Sequence, residues 1–174
     1  MRKKTAKVDR FIEGLHLFIK NHRQFRAQTG EKSEVRIQAE IRPIIIRYLE
    51  NYFHDAGYKD SIAKANKSFY WEGQEGRFGR ERERIFGTWN YPDFIITAPY
   101  LIAIEYKKSP NASLVKQLIG QSIVHTLSDE FDFVYCLFHD ESKGKKIKKS
   151  VENNLESAII SRMRDDFNLY LRFV

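Results

Sequence analysis

Two short groups of charged residues near the middle of the chain have the types needed to hold a metal ion. Pro92-Asp93 comes first, and Glu105-Tyr106-Lys107 follows it. Mg²⁺ prefers oxygen ligands and is usually held by one or two carboxylates together with waters and substrate phosphate oxygens. We therefore expect Asp93 and Glu105 to bind Mg²⁺, with Mn²⁺ as an alternative. Lys107 can orient or deprotonate a water that attacks a phosphodiester. It can also stabilise the negative charge that develops on the phosphate in the transition state.

The elements around these residues decide whether they can meet. Residues 91–97 and 101–107 are predicted strands separated by a proline-containing turn. Strand alternation puts Glu105 and Lys107 on one face, and Asp93, near the start of the neighbouring strand, can lie beside them. Pro-Asp is also a common turn dipeptide, and Glu-x-Lys can be an ordinary surface ion pair. The motif therefore has weight only in this structural context.

Two helical stretches precede the strands. Apolar residues spaced by three and four predict an amphipathic helix from Thr5 to His22. Ser33 can cap a second stretch that Gly57 closes. Pro43 lacks a backbone donor and disfavours helical geometry in the preceding residue, so we expect a kink or a restart near Arg42.

The remaining elements give the fold class. We predict a hairpin of Ser68–Trp71 with Arg84–Phe86, a helix over Ser113–Leu127, a buried strand over Phe131–Phe138, a basic helix over Lys145–Asp166 and a strand over Leu169–Val174. The predicted order is αα-ββββ-α-β-α-β, which is an α/β protein. One domain, 1–174, is predicted, with a basic N-terminal helical extension (1–30), a core (33–138) and a C-terminal helix and strand (142–174).

With these motifs on adjacent strands, the chain resembles the PD-(D/E)XK nuclease superfamily, which includes restriction endonuclease-like and junction-resolvase-like proteins. The resemblance covers roughly Ser33 to Phe138. It implies a mixed central sheet flanked by helices, with core order αβββαβ and the motif on the second and third strands, here with an extra N-terminal helix. It also implies that Asp93 and Glu105 bind the divalent metal and that Lys107 assists the attacking water.

Four further residues are candidates for the same site. Superfamily members often carry a Gln on the helix after the motif strand, and Gln117 and Gln121 lie one turn apart there. Gln117 is the stronger candidate for a catalytic role, and Gln121 for contact with a phosphate. Members also add a Glu from the first core helix to the metal site. Glu40 fits this better than Glu34, because it shares a face with apolar residues, whereas Glu34 can simply favour a helix N-terminus.

Basic residues are candidates for contact with a nucleic-acid backbone. The segment 73–84 combines glycines with arginines, which suits binding to a phosphate chain. A charge-balanced hairpin tip and a solvated helix face are the ordinary explanations for such residues. The predicted nucleic-acid-binding residues are Arg77, Arg80, Arg82, Lys108, Gln121, Lys145 and Lys146.

Composition narrows the class of protein. The 174 residues have a formal charge of +7 and a pI near 9.4, which favours a polyanionic partner such as DNA, with RNA not excluded. Cys136 is the single cysteine and lies in an apolar run, so a disulfide framework is excluded and core packing is expected. No signal peptide, membrane span or nucleotide-binding loop is visible, which predicts an intracellular, cytoplasmic protein without a nucleotide cofactor.

The five histidines lack the spacing of a zinc site. We assign them no chemistry. His125 can face the cleft one turn beyond Gln121, but a neutral surface histidine is the expected outcome.

The predicted function is a Mg²⁺-dependent DNA endonuclease, either site-specific, as restriction or homing enzymes are, or structure-specific. The alternative is a non-catalytic nucleic-acid-binding or assembly module that retains the fold. A purely structural basic protein is a third class, in which Asp93, Glu105 and Lys107 would not converge. Homodimerisation through the apolar face of the N-terminal helix is an alternative to packing of that helix on its own core.

Overall fold

A computed structural model of the chain describes residues 6–23, 33–72, 83–85, 88–127, 130–151 and 153–174. The chain divides into two compact units, Met1–Phe69 and Tyr70–Val174. The helices are α1 (Ala6–Asn21), α2 (Glu34–Asp55), α3 (Ser61–Lys67), α4 (Ser113–Leu127), α5 (Lys146–Val151) and α6 (Asn154–Phe167). The strands are β1 (Phe69–Trp71), β2 (Glu83–Ile85), β3 (Thr88–Asn90), β4 (Phe94–Ile96), β5 (Ile102–Ser109), β6 (Phe133–Asp140) and β7 (Leu169–Phe173).

In the first unit, the apolar face of α1 packs on α2. Phe11 meets the rings of Tyr48 and Tyr52 edge-on, with centroid distances of 5.3 and 5.1 Å, and the Tyr48 hydroxyl donates to the Phe11 carbonyl at 2.8 Å. The predicted helix is confirmed. The apolar face of α1 is therefore packed on its own unit, which was one of the two expected alternatives. Dimerisation remains a prediction.

Helix α2 runs without interruption through Pro43, so the restart expected near Arg42 is wrong, and the kink expected as its alternative remains a prediction. Pro43 lies on the exposed side of the helix, where water can satisfy the carbonyl of Ala39 that loses its helical partner. Ile41 and Ile44 on either side are fully buried, and their packing holds the helical geometry. The start is as predicted, because the Ser33 side chain accepts a hydrogen bond from the Arg36 amide at 3.3 Å.

Helix α3 was not predicted from the sequence. Its first turn is capped by the Asp60 carboxylate, which accepts from the Ala63 amide at 3.1 Å, and Ala65 is its one buried residue. A helix of seven residues with so little apolar surface has almost no periodic signal.

The main sheet has five strands in the order β1-β4-β5-β6-β7, and the boundary between the two units falls within β1. Strands β4 and β5 are antiparallel, whereas β5, β6 and β7 are parallel. The α/β class with a mixed sheet flanked by helices is therefore confirmed. Helix α4 provides the crossover that a parallel β5–β6 pair requires.

The predicted hairpin of Ser68–Trp71 with Arg84–Phe86 is wrong. Strand β1 belongs to the five-stranded sheet, beside β4, and the Glu72 amide donates to the Asp93 carbonyl at 3.0 Å. Strand β2 pairs instead with β3 in a separate two-stranded antiparallel sheet, with Arg84 opposite Trp89. The alternation of side chains along β1 and β2 is the same in the predicted hairpin and in the observed pairings. The local sequence pattern therefore does not distinguish between them.

Strand β6 is an interior strand of the sheet, between β5 and β7, and all eight of its residues are buried, as expected of a parallel strand covered on both faces. On one face its side chains join a core formed with α4, α5, α6 and β7. The buried members of this core are Ala103, Val115, Leu118, Val134, Cys136, Phe138, Ile147, Met163, Leu169, Leu171 and Phe173. Each large apolar side chain buried there contributes about 1.5–3 kcal/mol, so this layer holds α4 against the sheet.

The basic helix predicted over Lys145–Asp166 is two helices, α5 and α6. The Asn153 side chain accepts from the Glu156 amide at 3.1 Å and starts α6 anew. Asn competes with the helical backbone for its own hydrogen bonds, which is why it favours a cap over a helix interior.

Candidate active site

Asp93 immediately precedes β4 and lies against the middle of β5. Its Oδ2 atom accepts a hydrogen bond from the backbone amide of Tyr106 at 2.7 Å. Phe94 pairs with Ile104, so the antiparallel register brings Asp93 opposite Glu105. The carboxylate of Asp93 is therefore fixed beside the residue that separates Glu105 from Lys107.

Glu105 points to the face of the sheet that α4 covers. It is only 5% exposed, and its Oε1 atom lies 2.8 Å from Nε2 of His125. Alternation along β5 directs Lys107 to the same face, where it is half-buried. The register thus sets Asp93 opposite Glu105, Lys107 shares the face of Glu105, and the side chain in contact with Glu105 on that face is His125.

The expectation of a surface His125 is wrong, because this residue is 2% exposed. It belongs to the buried face of α4, together with Val115, Leu118 and Ser122. Its ring also meets Phe131 edge-on, with centroids 5.9 Å apart. The helical spacing of positions 115, 118, 122 and 125 indicates one buried stripe in the sequence. Because Ser122 and His125 are polar, hydrophobic periodicity alone does not include them in that stripe.

Cys136 and Ser122 lie beside this pair. Cys136 is opposite Glu105 in the β5–β6 register, and its Sγ is 2.8 Å from Ser122 Oγ, which in turn donates to the Leu118 carbonyl. Burial raises the pKa of the Cys136 thiol far above its usual range, despite the hydrogen bond with Ser122. The predicted packing role is confirmed, and the thiol is held in its unreactive protonated form.

The two carboxylates are of the ligand type that Mg²⁺ prefers. Asp93 and Glu105 supply hard oxygen ligands from adjacent strands, and each is fixed through one of its oxygens by a hydrogen bond from a nitrogen. Within the described ranges, no group of three or more His, Cys, Asp or Glu side chains could hold a metal ion. A two-carboxylate Mg²⁺ site does not need such a group, because substrate and water complete the coordination.

Gln117 and Gln121 are exposed on α4, outside the stripe that packs on the sheet. The position facing Glu105 is taken by His125 instead. The roles predicted for the two glutamines remain predictions.

Glu40 lies half-buried on α2 in the first unit, where its Oε1 is 3.8 Å from Nε of Arg36. Glu34 lies in the first turn of the same helix, where a negative charge is favourable. The ligand role of Glu40 remains a prediction.

The predicted nucleic-acid-binding lysines differ in their surroundings. Lys108 pairs with Glu141 at 2.7 Å, and both side chains are largely buried. The Lys145 ammonium donates to the carbonyls of Asp140 and Val174, which ties it into the fold. Lys146 is exposed at the start of α5. Arg77, Arg80 and Arg82 lie outside the described residues.

The chain matches no family model, no curated protein and no solved structure. None of the described helices is long and apolar enough to cross a membrane.

Proposed function

We propose that this chain is a Mg²⁺-dependent endodeoxyribonuclease of the PD-(D/E)XK type, with Asp93, Glu105 and Lys107 as its catalytic residues and a restriction endonuclease-like fold. One observation carries the proposal, namely the hydrogen bond from the Tyr106 amide to Asp93 Oδ2 at 2.7 Å. This bond joins the segment that carries Asp93 to the strand that carries Glu105 and Lys107, which is an arrangement that the proposal requires. A purely structural basic protein has no need of that arrangement.

The topology supports the same proposal. In the five-stranded sheet, β4 and β5 are the second and third strands, Asp93 directly precedes β4, and β5 carries Glu105 and Lys107. In chain order, helix α2, the sheet strands β1, β4 and β5, helix α4 and strand β6 give αβββαβ when α3 and the β2–β3 pair are treated as additions. This is the core order and motif placement of the superfamily that the sequence resembles.

The side chains would share the work of phosphodiester hydrolysis. Asp93 and Glu105 would hold the metal ion, which when bound polarises the scissile phosphate and makes a water more nucleophilic. Lys107 can orient the attacking water through its Nζ donors and stabilise the charge that develops on the phosphate oxygens. The net positive charge of +7 favours a polyanionic substrate.

The burial of Glu105 favours a second candidate function, a nucleic-acid-binding or assembly module without catalysis. A carboxylate that is 5% exposed and bonded to a buried histidine can serve the fold alone. This candidate predicts DNA binding that needs neither Mg²⁺ nor the carboxylate of Glu105.

Cleavage assays with matched variants separate the two candidates. The protein is incubated with plasmid, branched duplex, single-stranded DNA and RNA, in Mg²⁺, in Mn²⁺ and in EDTA. We expect metal-dependent cleavage by the wild type, and a loss of about 10²-fold or more in Asp93→Asn, Glu105→Gln and Lys107→Ala, because each removes a group acting on the transition state. Glu130→Gln and Lys116→Ala change exposed residues of the same types and should retain activity.

Circular dichroism and thermal melting establish that each variant is folded. If the wild type leaves every substrate intact in both metals, or if Glu105→Gln cleaves as well as the wild type, the catalytic proposal fails. Retained DNA binding in that case selects the second candidate.

A further inference from the structure

We propose that His125 is a positioning residue that holds Glu105 in the orientation needed to bind the metal ion. The inference rests on the proposed function. Its basis is the contact of 2.8 Å between His125 Nε2 and Glu105 Oε1, made between side chains that are only 2% and 7% exposed. The two residues are 20 positions apart, on α4 and on β5, so the contact exists only because the helix packs on the sheet.

The imidazole ring is itself held in place. His125 ends the buried stripe of α4, and its ring meets Phe131 edge-on at 5.9 Å. Interiors are close-packed, so the ring cannot turn away from Glu105 without opening a void or displacing its neighbours. Nε2 is therefore held in a fixed place, where it can donate to the carboxylate oxygen of Glu105.

Glu105 needs such a donor. A buried carboxylate is unfavourable without a hydrogen-bonding partner, and a glutamate has several side-chain conformers to lose when it binds a metal ion. With Oε1 held by His125, the carboxylate is restricted before the ion arrives. Side chains that hydrogen-bond to a metal ligand typically change metal affinity or activity by about 10- to 100-fold when they are replaced.

Positioning and simple packing make different predictions. If His125 only fills space, an aromatic ring without a donor should serve equally well. If it positions Glu105, a smaller side chain with an amide donor should retain more of the function than that ring does. His125→Phe and His125→Gln therefore form a matched pair.

Mn²⁺ binding, measured by electron paramagnetic resonance without DNA, gives a readout that is independent of catalysis. We expect His125→Phe to weaken Mn²⁺ binding by about 10- to 100-fold, and His125→Gln to lie closer to the wild type. Ser122→Ala is the control, because Ser122 lies one turn earlier on the same buried face and its hydroxyl bonds to Leu118 and Cys136 rather than to Glu105. It should bind Mn²⁺ as the wild type does.

A second measurement keeps the inference testable if the phenylalanine variant does not fold. In ¹⁵N-histidine-labelled wild type, Mg²⁺ should shift the imidazole nitrogen signals of His125, while those of the exposed His54 stay unchanged. Unshifted His125 signals at saturating Mg²⁺ would overturn the inference. So would Mn²⁺ binding by a folded His125→Phe variant that equals the wild type.

These failures are distinguishable from failure of the proposed function. If the wild type binds Mn²⁺ and cleaves DNA, and Glu105→Gln does neither, the function stands whatever the His125 variants show. If the wild type neither binds Mn²⁺ nor cleaves, the function fails and the positioning role fails with it.

Discussion

Tyr106 and His139 form a second polar contact, on the face of β5 opposite to the one that Glu105 occupies. The Tyr106 hydroxyl lies 3.2 Å from Nδ1 of His139, and both residues are buried. Burial lowers the pKa of His139 to about 4, and Lys145 and Lys108 add to the effect, while Glu141 and Asp140 oppose it. The imidazole is therefore neutral at pH 7, and its Nδ1 can accept from the tyrosine.

This buried histidine should make stability depend on pH. Because the folded pKa is about 4 and the usual value is 6.5, the folded state binds this proton less tightly than the unfolded state does. The stabilisation is complete above about pH 6.5 and is lost as the pH falls towards 4, by an amount on the order of 2–3 kcal/mol. Urea unfolding across this range should show the loss in the wild type and a smaller loss in His139→Asn, whose side-chain oxygen can replace Nδ1.

His54→Asn is the control for that experiment, because His54 is exposed. It should follow the wild type. Asp140 does not interfere in this window. Although burial raises its pKa, hydrogen bonds from Ser142 and Lys148 lower it below 3.8, so its contribution is lost only at still lower pH. If His139→Asn loses as much stability as the wild type, the buried neutral histidine is not the cause.

At the scale of elements, the junction between α6 and β7 shows how one residue sets two boundaries. Asn168 ends α6 in the left-handed region, with φ of 54°, and its amide bonds to the Arg164 carbonyl at 3.2 Å. Its own carbonyl accepts from the Val134 amide at 3.1 Å, which starts the alignment of β7 with β6. Asn tolerates this conformation better than most residues do.

Replacing Asn168 by alanine should therefore lower the free energy of unfolding by about 1 kcal/mol, because a left-handed conformation is unfavourable for alanine. Asn168→Gly is the matched variant and should be about as stable as the wild type, since glycine adopts positive φ readily. Chemical denaturation of the three proteins provides the measurement. Equal stability of the alanine and glycine variants would contradict this account of the junction.

At the scale of the whole molecule, the formal charge of +7 predicts binding to a polyanion, but not every lysine is available for it. Lys145, Lys146 and Lys149 are all exposed, but the Lys145 ammonium is bonded to the carbonyls of Asp140 and Val174. Neighbouring lysines therefore have different roles: Lys146 and Lys149 can contact a polyanion, whereas Lys145 stabilises the fold.

Salt dependence of DNA binding should separate these uses. Measured in EDTA, so that no cleavage occurs, Lys146→Gln and Lys149→Gln should each reduce the slope of log K against log salt by about 1, because each removes one phosphate contact. Lys145→Gln should instead lower the melting temperature and leave the slope almost unchanged. An unaltered slope in both exposed variants would exclude α5 from the DNA interface.

Much of the fold could be predicted because its helices and strands follow from the spacing of apolar residues along the chain. Helix α4 begins and ends at the predicted residues, Ser113 and Leu127, and β6 is buried along its whole length as its apolar run indicates. The adjacency of Asp93 to β5 also followed from two strands joined by a short turn. Side-chain alternation and helical spacing are properties of neighbouring residues, so the sequence alone determines them.

Features that depend on residues distant in the sequence were determined only by the tertiary structure. The pairing of β1 with the main sheet and of β2 with β3 left local alternation unchanged, so no pattern could select it. The continuity of α2 through Pro43 depends on packing around Ile41 and Ile44. The contact of His125 with Glu105 requires α4 to lie on β5, and it makes a residue without an assigned role a hydrogen-bonding partner of a proposed metal ligand.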